Sequence, residues 1–309
     1  MRYLVWIALL AASECVAQMP MGGITVTSGA ATYTVTGAGS NGTTTCSSPV
    51  SSGATTTCSL TANAGYIAYS ASSDTCGGSL SGTTYTTGAV TSNCVVTAVY
   101  HQIFVSAGQT QATTATAATL TKTIATGDVA VCMTANAANN TSTVAITDST
   151  AGSNTWTQTS SGYSARSTVT RVAMFWSKLA SGITSVTATW SGSLSTNINL
   201  TCYDLKNMAS SAIEDASVNN NAASSTTASS GSLTTTNAKD ILIFGSDQYG
   251  VISSPAATAP FTLPSGGSGG RDIVSYNIVI ATQSGLTTSN TWTSAQANAS
   301  IFAGFKTAP

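Results

Sequence analysis

Apolar and polar residues alternate with a period of two along most of this chain, and helical spacing is nearly absent. Val95, Val96, Thr97, Ala98, Val99 and Tyr100 form an alternating strand, and Ile301, Phe302, Ala303, Gly304 and Phe305 form another with one face toward a core. After residue 105 the pattern predicts strands over 117–124, 128–134, 142–147, 154–159, 167–179, 185–190, 198–205, 231–236, 240–244, 273–283, 290–295 and 299–305. Before it, residues 24–35 read as two short strands split by Ser28-Gly29, and 208–214 can hold one helical turn. Residues 224–232 and 264–270 are low-complexity loops. The expected architecture is all-β: a small β module over 24–100, a boundary near Phe104, and a jelly-roll-like two-sheet sandwich over 105–309.

Composition narrows the class. Only 6% of the 309 residues are charged and the formal net charge is −1, with 42% hydrophobic residues. Disorder combines low hydrophobicity with high net charge, so it is not expected here. Nucleic acids and anionic membrane surfaces need basic patches, and the sequence has none. Residues 1–17 carry Arg2, an apolar run and then small residues, the order of a secretory signal peptide with cleavage after Ala17. Cys15 raises a lipid-anchor alternative, which Glu14 opposes because that processing signal wants a small residue there. No apolar run after residue 17 is long enough to span a membrane as a helix.

Export gives the cysteines their meaning. Cys46, Cys58, Cys76, Cys94, Cys132 and Cys202 are an even set, as disulfides require. The first four allow three pairings, and the hairpin-like contexts favour Cys46–Cys58 and Cys76–Cys94. A zinc site is the rival reading, but no CxxC spacing is present. Cys132 and Cys202 each lie in an apolar strand, either paired across neighbouring strands or as two buried thiols.

Two resemblances add to this. Asn63-Ala64-Gly65-Tyr66, Cys76-Gly77-Gly78, Tyr85-Thr86-Thr87-Gly88 and the strand ending at Tyr100 resemble an internalin-type B repeat, the divergent bacterial repeat of secreted and surface proteins. Cys46-Ser47-Ser48-Pro49-Val50 matches the first half of the same unit, and no second copy follows. Residues 105–309 resemble a secreted bacterial β-sandwich family of unassigned activity. That likeness is carried by Val144 to Ser149, Asn154-Thr155-Trp156-Thr157, Phe175-Trp176, Tyr203-Asp204, Asp215-Ala216-Ser217 and Ala303-Gly304-Phe305-Lys306. These likenesses imply folds and a compartment, not a chemistry.

Candidate chemistry is sparse. His101 is the single histidine, expected on the linker with no GxSxG motif for it to serve. Glycoside hydrolysis needs two carboxyls about 5–10 Å apart. Asp74, Asp128, Asp148, Asp204, Glu214, Asp215, Asp240, Asp247 and Asp272 mostly precede strands or sit in turns, where Asp bonds its own backbone. Glu214 and Asp215 are adjacent, so in an extended segment their side chains point opposite ways. Asp148, Ser149, Gly152 and Asn154 form an oxygen-rich turn, a weak calcium candidate through Asp148 and Asn154. Exposed aromatics can stack on sugar rings. Trp156 and Trp292 share an Asn-Thr-Trp-Thr context and are the binding candidates, while Trp176 and Trp190 read as core. Lys178, Arg166, Arg171 and Arg271 are expected to be solvated. No catalytic residue, cofactor or metal is assigned. The expected function is a secreted or cell-surface, non-catalytic β protein for adhesion or binding of carbohydrate or another surface. A self-associating subunit of an extracellular filament or matrix is the alternative, and a polysaccharide-acting enzyme the second alternative.

Overall fold

A computed structural model of the chain describes residues 30–113, 115–136, 141–166, 170–192 and 197–308. The expected leader, Cys15 and the strand expected to begin at Ile24 lie outside them. Among the described residues every regular element is a strand, as the period of two requires.

The N-terminal part contains β1 (Thr32–Tyr33), β2 (Val35–Ala38), β3 (Gly42–Cys46), β4 (Val50–Ser51), β5 (Thr57–Ala62), β6 (Tyr66–Ser73), β7 (Gly78–Ser81), β8 (Thr84–Thr87) and β9 (Cys94–Gln102). They form a β1-β4 pair, a β2-β9-β6 sheet with β2 parallel to β9, and a β3-β5-β8-β7 sheet. On β9, Cys94, Val96, Ala98 and Tyr100 are buried, while Val95 and Val99 face outward. Cys46 and Cys58 are register partners on β3 and β5 and form one disulfide; Cys76 and Cys94 form the second, with Cα atoms 5.9 Å apart. So small a core gains from such staples, because they limit the freedom of the unfolded chain.

The C-terminal part contains β10 (Phe104–Ala112), β11 (Ala117–Ile124), β12 (Val129–Asn136), β13 (Val144–Asp148), β14 (Thr157–Arg166), β15 (Thr170–Lys178) and β16 (Ile183–Trp190). It continues with β17 (Ile198–Leu205), β18 (Glu214–Ser229), β19 (Asp240–Gln248), β20 (Ala256–Ala257), β21 (Ser268–Gly269), β22 (Asp272–Val279) and β23 (Ser289–Lys306). The strand orders are β11-β16-β13, β10-β17-β12-β15-β14 and β18-β23-β19-β22-β21. One core cluster joins Val131, Met133, Met174 and Tyr203 of the five-stranded sheet to Ile243, Val274 and Ile301 of the β18–β23 sheet. A second joins Cys132, Phe175 and Leu200, on the opposite face of the five-stranded sheet, to Leu120, Val186 and Trp190 of the β11-β16-β13 sheet.

Three sheets are therefore stacked where two were expected, and the middle one is covered on both faces. That accounts for the unbroken burial of β12 and β17. Each fully buried Leu, Ile, Val or Met side chain contributes roughly 1.5–3 kcal/mol. A further cluster of Leu233, Phe244, Phe261, Trp292 and Phe302 lies on the outer face of the β18–β23 sheet, under loops. Cys132 and Cys202 face each other on β12 and β17 and form the third disulfide, which resolves the open alternative for that pair.

Several local expectations change. Residues 224–229 belong to the long edge strand β18, not to a loop. Ser and Asn side chains there supply hydrogen bonds in place of apolar packing: Asn219 Nδ2 donates to the carbonyls of Ser161 (2.9 Å) and Tyr163 (3.1 Å) on β14, and Ser164 Oγ donates to Asn220 O. Residues 231–236 contribute only an isolated bridge, Leu233 to Leu286, and 208–214 are not helical. The two strands expected over 290–305 are one, β23, because Trp292 and Phe302 both need the same outer face.

Strand pairing does not cross Ile103 among the described strands, but packing does. Ile67 and Ile103 join the core shared with Tyr203 and Tyr276, and Gly65, at φ +83, offers its carbonyl to the N–H groups of Ile103 and Phe104.

Candidate functional site

At the oxygen-rich turn after β13, aromatic surface, polar groups and open space meet. Ala151 (φ 52) and Gly152 (φ 100) reverse the chain in the left-handed region and send residues 153–156 back along the sheet. The result is a recess of about 320 Å³ lined by Ile146, Thr147, Asp148, Ala151, Gly152, Asn154 and Trp156.

Asp148 organises it. Its Oδ1 accepts from the Thr150 N–H (2.8 Å) and the Thr150 hydroxyl; its Oδ2 accepts from Asn154 Nδ2 (3.2 Å) and Trp156 Nε1 (2.8 Å). Burial pushes this carboxyl up, but the donors from Thr150, Trp156 and Asn154 outweigh it and hold the acid below its usual range. A carboxylate has about four lone-pair sites, and all four are taken. Asn154 points its amide N–H₂ at Asp148 and gives its Oδ1 to the Ser181 N–H at 3.0 Å. Neither expected calcium ligand has a free oxygen aimed at a cation, so the turn is held by protein donors instead.

Trp156 is half-buried, anchored through Nε1 and packed against the core around Trp190, with the rest of its ring lining the recess. Trp292 is different: it is 5% exposed, packs among Phe244 and Phe302, and donates Nε1 to Ser225 O at 3.1 Å. It is a core residue and no binding platform, despite the shared Asn-Thr-Trp-Thr context. Trp190 is buried and donates to Thr134 Oγ1, as a core tryptophan should. Trp176 is half-buried and reaches Glu214 Oε2.

A second, smaller recess of about 140 Å³ lies where Asn63, Ala64, Gly65 and Tyr66 meet Thr262, Tyr276, Asn277 and Ile278. Asp148 is the one carboxylate in either recess. His101 stacks on Tyr69 within β9, ring centroids 3.8 Å apart, and so belongs to a sheet and not to a linker.

The acids depart furthest from expectation. Glu214 and Asp215 do point opposite ways: Glu214 takes Ser160 and Ser217, while Asp215 takes Thr236, Asn237 and Lys306. Burial and then the neighbouring Asp128 push Asp204 up to about 6, against Lys122 and Lys206. Burial pushes Asp240 up to about 6 beside Asp215, which its hydrogen-bond donors, outweighing burial, hold at about 2. Asp247 and Asp272 are buried together with Arg271, which was expected in solvent. For two of them the signal was available: Asp204 interrupts an apolar run and Asp272 adjoins one, where a turn acid would not sit, whereas Asp247 lies between Ser246 and Gln248 and carries no such mark. Among the described residues no three His, Cys, Asp or Glu side chains gather to hold a metal ion.

No known protein family, curated protein or solved structure matches this chain.

Proposed function

We propose that this chain is a secreted, non-catalytic β protein that binds the apolar face of an uncharged ring, a sugar unit of a glycan, in the Trp156 recess. The half-buried indole of Trp156, held by Asp148 at 2.8 Å, carries this reading. An anchored aromatic is pre-organised, so binding loses little side-chain freedom. Because Asp148 is saturated by internal donors, the recess offers a ligand apolar surface and hydroxyl-sized polar partners but no available carboxylate. Three disulfides, and no helix among the described residues long and apolar enough to cross a membrane, are compatible with export under the expected leader. The internalin-like repeat and the sandwich family remain likenesses that suit a surface protein and carry no activity.

A glycan array probed with the purified chain and with Trp156→Ala tests this. Signals reduced at least about tenfold in a variant that keeps the wild-type circular dichroism support the site; equal signals from both proteins refute it.

Self-association is the second reading. It draws on Val95 (39% exposed) and Val99 (45% exposed), which put apolar surface on the outer face of β9. Sedimentation of concentrated protein, with and without Val99→Lys, separates the two readings.

A further inference from the structure

Asp247 and Asp272 occupy one register position of the antiparallel strands β19 and β22, so both side chains project from the same face of that sheet. They enter the gap between the β18–β23 sheet and the five-stranded sheet, and neither is more than 1% exposed. Asp247 is well partnered: Asn199 Nδ2 donates to Oδ1 at 3.2 Å, Thr170 Oγ1 donates to Oδ2, and Arg271 forms an ion pair with Oδ2, its Nη2 3.6 Å away. Neither oxygen of Asp272 has a partner in hydrogen-bond geometry; the polar groups beside it are the Asp247 carboxyl and the Asn199 amide. Two buried carboxylates would face a single guanidinium, and an unpaired buried charge costs several kcal/mol.

We propose that Asp247 and Asp272 form a buried proton site, Asp247 as the carboxylate and Asp272 as the carboxylic acid, which holds this end of the two-sheet seam closed while the proton is bound.

The surroundings favour a proton over a metal ion. Arg271 already supplies one positive charge, and one proton brings the trio to neutrality. The groups facing the pair from the packed strands are neutral: Thr170 on β15, Asn199 on β17 and Ala299, the register partner of Asp247, on β23. Burial first, then the charge of Asp247, push Asp272 well above its ordinary value, and Arg271 only partly opposes this. An acid raised in the folded state contributes stability that is complete below its unfolded value of 3.8 and is lost as pH rises through the folded value. The departing proton goes to solvent and leaves a net negative charge in the seam.

The test is the infrared carbonyl band of a protonated carboxylic acid in the full-length chain at about pH 7.5, above the titration of an ordinary or modestly raised Asp. The band is expected in the wild type and in Asp204→Asn and absent in Asp272→Asn. A wild type without the band overturns the proposal, and that outcome is readable even if the variant does not fold. Where Asp272→Asn folds, its Tm stays level as pH rises above about 7.5, while the wild type falls by about 3 °C or more per pH unit. Parallel declines also overturn it.

Discussion

Cys132 and Cys202 sit opposite each other in β12 and β17, Cα atoms 4.1 Å apart, and the disulfide between them lies in the sheet that is covered on both sides. Both cysteines are fully buried, whereas Cys46 of the first bridge is partly open to solvent. Mild reductant followed by alkylation and mass spectrometry is therefore expected to open Cys46–Cys58 first and Cys132–Cys202 only when the stack unfolds. The 70-residue span closed by the buried bridge puts its contribution at about 4 kcal/mol on the chain-entropy account, so replacing both cysteines by Ala should lower stability by that order.

The two tryptophans in the same sequence context should behave differently. Trp292→Ala empties a site among Phe244 and Phe302 and is expected to cost about 3–5 kcal/mol by denaturant unfolding. Trp156→Ala removes a half-buried ring at the recess, with an expected cost of about 1–2 kcal/mol and a folded protein as the result.

Stability should peak in mild acid. Asp204 and Asp240, each raised to about 6, bind protons more tightly in the folded chain. Their contribution is complete below 3.8 and is lost as pH rises through about 6, at most ~2 kcal/mol each after solvent screening. Asp215, lowered to about 2, works in the other direction: its contribution is present above 3.8 and is lost as pH falls through about 2. Tm measured across this range should fall on both sides, and Asp204→Asn and Asp240→Asn should flatten the side above 4.

The β14–β18 seam rests on side-chain amides. Asn219→Ala removes the donors to Ser161 O and Tyr163 O, and a loss of about 1–2 kcal/mol is expected. Faster amide exchange confined to β18 would mark the loss as local.

The parts of the fold that were legible are those where burial writes itself into the pattern. Strands β11 and β17 match the expected 117–124 and 198–205, since apolar runs between turns leave little choice of ends. The pairings Cys46–Cys58 and Cys76–Cys94 follow from hairpin proximity. The strand β18 was hidden because its partner contacts use Asn and Ser, residues that read as loop when no apolar alternation accompanies them. The third layer was hidden because an apolar run shows that a strand is covered, not how many sheets cover it. At the site, Trp156 and Asp148 were both visible as residues, but one period-2 context placed Trp156 at a recess and Trp292 in a core. Local sequence does not encode which loops close over an outer face.

The most direct test of the central claim is the indole N–H region of the ¹H–¹⁵N spectrum, recorded while oligosaccharides from the array are added. The Trp156 signal, assigned with Trp156→Ala, is expected to move in a saturable way while those of Trp190 and Trp292 stay in place. A binding glycan that leaves the Trp156 signal unmoved, or that binds the variant as tightly as the wild type, would contradict the claim.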